Sequence, residues 1–304
     1  MSQAVMHKQR IHTSGGDKAL STFFYVFITL FAIFAIVPFI LVLSASFTQE
    51  VALNKFGYQL WPKVFSLDAY RLAFKDGGIG NAYIVTIFTT VVGTLCSMMI
   101  TCAAAYAMSV KSFRSRGSVA LFIYFTMLFN GGLVPSYLLI TKFLQLQNTI
   151  WVLLLPSLCN AWNILLMRNF FNSVPDSLRE AAKVDGAGDL RILVQIMLPV
   201  SLPAIATIGL FYALSYWNEW YKCLLYIDTN HSQYYTLQYL IQRILRQVNY
   251  AANLPQEAAS LQGSLPTYSF RMAAIMLAIG PIVLLYPFLQ KYFVAGLTVG
   301  SVKG

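Results

Sequence analysis

The sequence predicts an all-α, polytopic membrane protein with six transmembrane helices. Of its 304 residues, 58% are hydrophobic and 11% are charged, and the mean hydropathy is +0.62, whereas soluble domains carry about 25% charged residues. Six apolar stretches reach the roughly 20 residues that are required to cross the hydrocarbon core. Runs such as residues 21–47 lack the alternation of apolar and polar residues that is typical of transmembrane barrel strands. A helical membrane protein is therefore the predicted class.

The predicted spans divide the chain into a membrane domain, residues 20–293, and two tails, residues 1–19 and 294–304. The spans are residues 20–43, 82–109, 119–140, 150–167, 200–225 and 270–293. The first span is expected to be retained, because it is longer than the core of a signal peptide and lacks a clear small-residue cleavage site; a cleaved signal peptide is the alternative. Prolines and glycines within the spans are expected to kink some of the helices. These breakers are Pro38, Gly131, Gly132, Pro135, Pro156, Pro203, Pro281 and Pro287.

The distribution of basic residues predicts the orientation, because Lys and Arg accumulate in short loops on the cytoplasmic side. With the N-terminus inside, twelve basic residues face the cytoplasm and seven, in longer loops, face outward. The inward residues are Lys8, Arg10, Lys18, Lys111, Arg114, Arg116, Arg168, Arg179, Lys183, Arg191, Lys291 and Lys303. We therefore expect a multi-pass protein of the cell membrane with both termini and the 168–199 loop in the cytoplasm, and with large outer segments at 48–81 and 226–269. The net charge of +10 is attributed to this topology and not to nucleic-acid binding.

A polar stretch interrupts the apolar pattern between the fourth and fifth spans, where residues 180–199 read EAAKVDGAGDLRILVQIMLP. Ser177 and Glu180 have the spacing of a capping box, which predicts a short helix that begins at Leu178. A glycine turn at Gly186 is expected to end this helix, and a second amphipathic helix is expected to follow. A helix, a turn and a second helix on the cytoplasmic side indicate a docking element.

No catalytic centre is recognised in the sequence. There is no GxxxxGK[ST] phosphate-binding loop and no GxGxxG motif. The three histidines, His7, His12 and His231, are too scattered for a metal site. We therefore predict no catalytic residue, no metal and no cofactor in this chain; a membrane glycosyltransferase is the enzymatic alternative.

The spans carry almost no charge, which disfavours a carrier driven by an ion gradient, because such carriers keep acids or bases within their spans for coupling. Glu219 is the exception, in the run SYWNEWYK near the outer end of the fifth span. Its carboxylate either faces the translocation path or reaches the outer interface beside the belt residues Trp217 and Trp220. The energy for transport is therefore expected to enter through the docking element.

The pattern E-A-A, three residues, G, nine residues, I, one residue, L-P resembles the signature loop of the membrane subunits of binding-protein-dependent ABC importers. The matching residues and their loop neighbours form the predicted ATPase-coupling set. They are Glu180, Ala181, Ala182, Asp185, Gly186, Ala187, Ile196, Leu198 and Pro199. Residues 129–139, 167–187, 216–220 and 296–304 are similar to MalG-type subunits of carbohydrate importers, and the NGG form in the first of these runs is similar to the branch that includes LplC and YtcP-like proteins.

The resemblance implies the fold of a type I ABC importer permease. The loop helix, residues 178–185, would sit in a cleft of a cytoplasmic ATPase subunit, with Glu180 and Asp185 toward its basic groups, Ala181 and Ala182 allowing close approach and Gly186 forming the sharp turn. ATP and Mg would be bound by that partner. The C-terminal tail would reach between the ATPase subunits; a frayed terminus is the alternative. The tail residues are Gly300, Ser301, Val302, Lys303 and Gly304.

The resemblance also implies a second, MalF-like permease subunit, two ATPase copies, an extracytoplasmic solute-binding protein and an oligosaccharide substrate. An importer of a non-sugar solute and an autonomous secondary carrier are the alternatives. Because aromatic faces and planar polar side chains bind sugars, such residues in the spans are candidates for the substrate path. They are Asn130, Asn160, Asn163, Tyr216, Trp217, Asn218 and Glu219. On the path, the Glu219 carboxylate is expected to favour neutral or amino sugars, unless a basic neighbour such as Lys222 compensates its charge.

Overall fold

The computed structural model describes residues 15–75, 78–252 and 268–283. Within these ranges the regular elements are helices, with a single isolated β-bridge. The described residues form two compact units. The first consists of residues 15–70 and 268–276, and the second consists of residues 71–75, 78–252 and 277–283.

The first unit is built on α1, Gly15–Ser46. Its 32 residues correspond to about 48 Å, which is enough to cross a bilayer. The helix is apolar over residues 18–46, and none of its most apolar window is buried within the protein. The predicted first span, residues 20–43, lies inside α1, and Pro38 does not interrupt it. Two short helices follow, α2 at Glu50–Phe56 and α3 at Asp68–Lys75.

The carboxylate of Glu50 binds the start of the last described helix, α15, Tyr268–Val283. It accepts hydrogen bonds from the backbone N–H groups of Tyr268 (2.9 Å) and Ser269 (2.8 Å), and from the Ser269 hydroxyl (2.7 Å). These backbone groups have no partner within the first turn of a helix, and the helix dipole favours a negative charge there. Glu50 therefore fixes the start of the sixth predicted span, whose remainder, 284–293, lies outside the described residues.

The second unit is centred on α4, Gly78–Ser109, which contains the second predicted span. It packs against α8, Ala161–Ser173, and α12, Leu202–Trp217. Gly93 lies where α4 crosses α12, and a β-carbon there would lie 2.6 Å from the ring of Tyr216. Glycine is therefore required for this close approach of the two helices.

Two polar pairs join α4 to α12 inside the core. The hydroxyls of Ser97 and Tyr216 are 3.1 Å apart, and those of Thr101 and Tyr212 are 2.7 Å apart. All four residues are buried. Ser97 and Thr101 are four residues apart on α4, and Tyr212 and Tyr216 are four residues apart on α12. The two pairs therefore fix the register in which α4 and α12 cross.

The third and fourth predicted spans are each made of two helical segments. The third consists of α5, Arg116–Leu128, and α6, Leu133–Leu138, which a π-helical turn extends to Phe143; the segments meet at 111°. The fourth begins with α7, Trp151–Leu154, and a 3-10 turn, Leu155–Ser157, and continues after a bend of 47° in α8. The breaks fall at the glycines of the third span and beside the proline of the fourth, which confirms that breakers kink some spans.

The segment between the fourth and fifth spans contains three helices. They are α9, Asp176–Val184, α10, Asp189–Ile192, and α11, Leu198–Val200; a π-helical turn, Leu193–Met197, joins the last two. Residues 189–200 meet α12 at 88°.

The fifth predicted span, residues 200–225, is not a single helix, and this part of the prediction was wrong. α12 ends at Trp217, and a separate short helix, α13, occupies Tyr221–Tyr226. The side chain of Asn218 donates a hydrogen bond to the Leu214 carbonyl (2.9 Å). This local bond competes with continuation of the helix and ends α12. A 3-10 turn, Thr229–Tyr234, and α14, Leu237–Ala252, complete the outer segment.

By length and composition, α1 and α4 qualify as spans on their own, and three bent pairs qualify together, which gives up to five spans among the described residues. Contacts between loops agree with the predicted alternation of sides. At one end of the second unit, Lys111 and Asp176 form an ion pair. At the other end, Asn148 and Asp228 exchange two hydrogen bonds of 2.9 and 2.8 Å.

Candidate functional site

The predicted docking element consists of α9, a glycine turn and α10. Gly186 has φ +77°, a left-handed conformation that L side chains rarely adopt, and it ends α9 as predicted. The predicted capping box was wrong, because α9 begins at Asp176 and no side chain caps it. Asp176 occupies the first turn and pairs with Lys111, where the helix dipole also favours a carboxylate. The hydrogen bond from Lys111 holds the pKa of the Asp176 carboxyl below its ordinary value.

Arg179 anchors α9 to the membrane helices. Its side chain is buried, with 7% of the residue exposed. The guanidinium donates hydrogen bonds to the Ser109 carbonyl (3.0 Å), the Ser109 hydroxyl (3.1 Å) and the Phe171 carbonyl (2.9 Å). Its Cζ also lies 5.7 Å from the centroid of the Tyr106 ring. Arg179 therefore connects α9 to the ends of both α4 and α8.

The second helix of the element is attached through Asp189. The Tyr106 hydroxyl donates to its carboxylate at 3.1 Å, and the Lys183 ammonium lies 3.7 Å from the same oxygen. Beneath them, Ala182 and Ile192 are buried in the main core of the second unit. Polar bonds and packing therefore hold both helices of the element on the ends of α4 and α8.

The predicted coupling residues divide into an outward and an inward group. Glu180, Ala181, Asp185, Gly186 and Pro199 are exposed. Ala182 is buried, and Ala187, Ile196 and Leu198 pack against the core. The inward group therefore contacts this chain itself, so the close approach expected at both alanines is available only at Ala181.

Sequence reasoning missed three residues of the element. Arg179 was counted only as a cytoplasmic charge, and Val184 and Leu190 were not singled out. Val184 is 88% exposed and Leu190 is 75% exposed, although both are aliphatic. The available signal was helical spacing: Arg179 and Ala182 are three residues apart and share the inward face of α9, which leaves Val184 on the other face. The outward face thus combines carboxylates with aliphatic side chains.

The candidates for the substrate path lie in three places. Asn130 is at the bend of the third span, where its side chain accepts a hydrogen bond from Gly132 N (2.8 Å). Asn160 caps α8 by accepting from Asn163 N (3.0 Å), at the bend of the fourth span. The remaining candidates, residues 216–219, lie at the end of α12.

Two hydroxyls of α12 bond to backbone groups of the fourth span close to its break. The Tyr216 hydroxyl donates to the Leu154 carbonyl (3.3 Å), and Asn160 N donates to the Tyr212 hydroxyl (3.3 Å). Asn160, Asn163 and Tyr216 are thus brought to the same break. Trp217 is buried and donates from Nε1 to the Ala278 carbonyl (3.1 Å). Tyr216 and Trp217 therefore have packing roles in this structure.

The carboxylate of Glu219 is paired with Lys222. The two side chains are 12% and 16% exposed, and they form an ion pair. Glu219 also accepts from Lys222 N (2.8 Å), at the start of α13. Compensation by Lys222, the condition attached to the prediction for Glu219, is therefore present, and the carboxylate does not act as an isolated negative charge.

Comparison with known proteins identifies the family. Residues 110–299 match the family described as "Binding-protein-dependent transport system inner membrane component". That range is more than half of the chain and contains the whole docking element. The chain belongs to this family. It is an ABC importer permease, a membrane subunit of a transport system, as the sequence motif predicted.

Individual relatives agree with this permease assignment. The chain is 42% identical over 285 residues to the polygalacturonan/rhamnogalacturonan transport system permease protein YtcP of Bacillus subtilis, covering 92% of this chain and 96% of the relative. It is 37% identical over 271 residues to protein LplC of the same organism, covering 88% and 90%. It also resembles a chain in the crystal structure of a bacterial ABC transporter involved in the import of the acidic polysaccharide alginate, with a TM-score of 0.77, 32% identity and coverage of 92% and 98%. The predicted family, branch and permease fold are confirmed.

Proposed function

We propose that this permease carries an oligosaccharide across the cell membrane in an ATP-driven importer, and that the docking element transmits the work of two cytoplasmic ATPase subunits. The observation that carries the proposal is the docking element itself. Its inward face is bonded to the ends of α4 and α8, and its outward face presents carboxylates and two exposed aliphatic side chains. A partner that covers Val184 and Leu190 would gain roughly 25 cal/mol for each Å² of apolar surface removed from water.

The substrate class is supported by what the relatives carry. YtcP is named for polygalacturonan and rhamnogalacturonan, and a further relative, 30% identical over 294 residues, is the arabinooligosaccharide permease AraQ of Halalkalibacterium halodurans. The crystal structure concerns alginate import. All three names concern oligomers or polymers of sugars, and from this class we assign an oligosaccharide to this chain.

The complete importer would contain a second permease subunit, two ATPase subunits that bind ATP and Mg, and an extracytoplasmic binding protein. Both termini and the docking element would face the cytoplasm, and the Asn148–Asp228 end would face outward. ATP binding would bring the ATPases together and displace α9. Through Arg179 that displacement would reach α4 and α8 and shift the population from inward-facing to outward-facing permeases.

Reconstitution of the importer in proteoliposomes, with both permease subunits, the two ATPase subunits and the binding protein, tests the proposal. With ATP inside and loaded binding protein outside, we expect accumulation of a labelled oligosaccharide and none when the ATPase subunits are omitted. Uptake of an amino acid instead of any sugar would support the non-sugar alternative. Uptake by the permease alone would support an autonomous carrier and would contradict ATP coupling.

A further inference from the structure

The outer helix α14 has one apolar face and one polar face. Leu237 and Ile241 are buried, and Leu237 N donates to the Thr86 hydroxyl of α4 (2.8 Å). The other face carries Arg243 and Arg246, three residues apart and therefore neighbours on the helix surface. Arg243 is half-buried and Arg246 is exposed. The apolar face is thus used by the protein core, and the basic face remains accessible.

Aromatic rings hold both guanidinium groups. The Cζ atom of Arg243 lies 5.5 Å from the Tyr235 ring centroid, and the Cζ atom of Arg246 lies 5.9 Å from the Trp220 ring centroid. A cation–π contact engages the face of the ring and leaves the N–H groups of the guanidinium available to a ligand. Among the described residues, neither arginine has a carboxylate partner or a hydrogen bond to the protein.

Two amide side chains are bonded to each other at the end of α12, two residues before Trp220. Gln238 Nε2 donates to Asn218 Oδ1 (3.3 Å), which joins α14 to the end of α12, and both residues are accessible. We call Asn218, Trp220, Gln238, Arg243 and Arg246 the outer face. It therefore combines two guanidinium groups, two planar amides and an indole ring.

Two acids of this part of the described chain already have partners within the protein. Glu219 is paired with Lys222. Asp228 is bonded to the His231 ring (2.7 Å) and to the Asn148 amide (2.9 Å). The His231 hydrogen bond also keeps the pKa of the Asp228 carboxyl below its ordinary value. The two arginines therefore give the outer face a positive charge, and no carboxylate of the described residues pairs with either of them.

If the solute is an oligosaccharide, as proposed above, the outer face has the chemistry for one class of sugar. We propose that it binds a uronate unit, with Arg243 and Arg246 receiving the carboxylate and the amides of Asn218 and Gln238 receiving hydroxyls. Guanidinium groups match the planar, two-oxygen geometry of a carboxylate. A lipid surface fits less well, because a helix that binds lipid turns its apolar face to the bilayer, whereas the apolar face of α14 packs on the protein.

The test compares two sugars in the reconstituted importer: labelled α-1,4-linked digalacturonate and the same disaccharide with both carboxyl groups reduced to alcohols. For Arg243→Gln/Arg246→Gln we expect digalacturonate uptake to fall about tenfold or more, because a charge-assisted bidentate contact is lost. Uptake of the neutral sugar should change less than about twofold. Arg243→Lys/Arg246→Lys keeps the positive charge but loses the planar pair of guanidinium donors. Its digalacturonate uptake should lie between that of wild type and that of the Gln variant.

The matched control is Lys63→Gln, since Lys63 is also a basic residue stacked on an aromatic ring, Phe56, at 4.1 Å, but lies elsewhere in the chain. It should leave the ratio of the two uptake rates unchanged. An equal loss of both sugars in the Gln variant, in an importer that assembles normally, would show a contact with the binding protein and overturn the uronate site. Disappearance of the effect in vesicles without anionic lipid would overturn it in favour of a lipid contact.

The outcomes also separate this site from the proposed function. If wild type transports the neutral disaccharide and the Gln variant is unaffected with either sugar, the uronate site is wrong and oligosaccharide import stands. If wild type accumulates neither sugar while it accumulates a non-sugar solute, oligosaccharide import itself is wrong.

Discussion

The docking element and the outer face both place an arginine over a tyrosine ring, at nearly the same distance, with opposite consequences. Arg179 lies 5.7 Å from the Tyr106 ring and is buried, and its hydrogen bonds go to this chain. Arg243 lies 5.5 Å from the Tyr235 ring and remains accessible, without a protein acceptor in the described residues. The same residue type is an internal anchor at one end and a group available to a ligand at the other.

The difference comes from what surrounds each guanidinium. Arg179 is received by carbonyls at the C-terminal ends of α4 and α8, where helix dipoles present partial negative charge. A buried charge is tolerated there because hydrogen-bond acceptors surround it. The outer arginines lie instead on the exposed side of an amphipathic helix, where water satisfies them until a ligand arrives. A buried arginine with hydrogen-bond acceptors thus holds helices together, whereas an exposed arginine without them can bind a ligand.

The comparison requires that the docking element lies in the cytoplasm and that the outer face lies outside the cell. A reversed membrane topology would contradict both roles, so topology is the first property to test. In a background without the four native cysteines, single cysteines at Ser115 and Ser301 should be protected from an impermeant thiol reagent in intact cells. Single cysteines at Ser66 and Ser232 should be labelled. Labelling at Ser115 from outside would place the docking element outside and contradict the proposed coupling.

Removal of the anchor should have the largest effect on transport. Arg179→Ala leaves the carbonyls of Ser109 and Phe171 without their donor and should destabilise this part of the permease by more than about 2 kcal/mol. We expect uptake to fall at least about tenfold and loaded binding protein to lose its stimulation of the ATPase. Arg179→Lys should recover part of both, because a lysine donates without the planar fork.

Arg191→Ala is the matched control, since Arg191 lies in the same element but is exposed and bonds only to Gln195 in the described chain. It should leave uptake within about twofold of wild type, as surface substitutions usually do. Uptake near the wild-type rate in Arg179→Ala, with normal amounts of assembled importer, would contradict the anchoring role.

The glycine turn should give the next largest effect. A β-carbon at Gly186 or at Gly188 would meet no atom within 4 Å, but Gly186 has φ +77° whereas Gly188 has φ −73°. Gly186→Val should therefore cost about 1–3 kcal/mol of backbone strain and abolish uptake, while Gly188→Val should be tolerated. Radiolabelled sugar uptake and retention of the ATPase on pull-down measure the two effects. Equal uptake and equal ATPase retention in Gly186→Val and Gly188→Val would contradict a specific requirement for glycine at position 186.

Features of the docking element and the outer face that depend on neighbouring residues in the sequence were predicted better than those that depend on residues far apart in the chain. Hydropathy, the glycine turn and the coupling motif are local, and each was recognised from a short window. The anchoring of Arg179 joins residues 70 positions apart, and no short window contains both partners. The capping box was wrong although its signal is local, because α9 begins two residues earlier, directly after Pro175, and no side chain caps it. The break at Asn218 was missed because it depends on a side-chain bond to the Leu214 carbonyl, which a count of apolar residues over the span does not report.

Substitution of Glu219 should have the smallest effect on transport. The informative result is the direction in which the ratio of acidic to neutral sugar uptake changes. Glu219→Gln removes the partner of Lys222 and leaves its charge uncompensated beside the outer face. An ion pair of this kind is worth about 1 kcal/mol, so we expect a change of about fivefold in the ratio of acidic to neutral sugar uptake, in favour of the acidic sugar. This direction is opposite to that expected for Arg243→Gln/Arg246→Gln.

Asn218→Ala removes the amide that ends α12 and that we propose as a contact for a sugar hydroxyl, without a change of charge, and it should slow the uptake of both sugars alike. Glu219→Gln/Lys222→Met removes both charges of the pair and should return the ratio toward wild type, because the positive potential that the single substitution creates is gone. Complex assembly is checked by co-purification of the ATPase. If Glu219→Gln leaves both rates unchanged in an intact complex, Glu219 serves only to start α13 at the outer interface, and the selectivity of the outer end rests on the arginines alone.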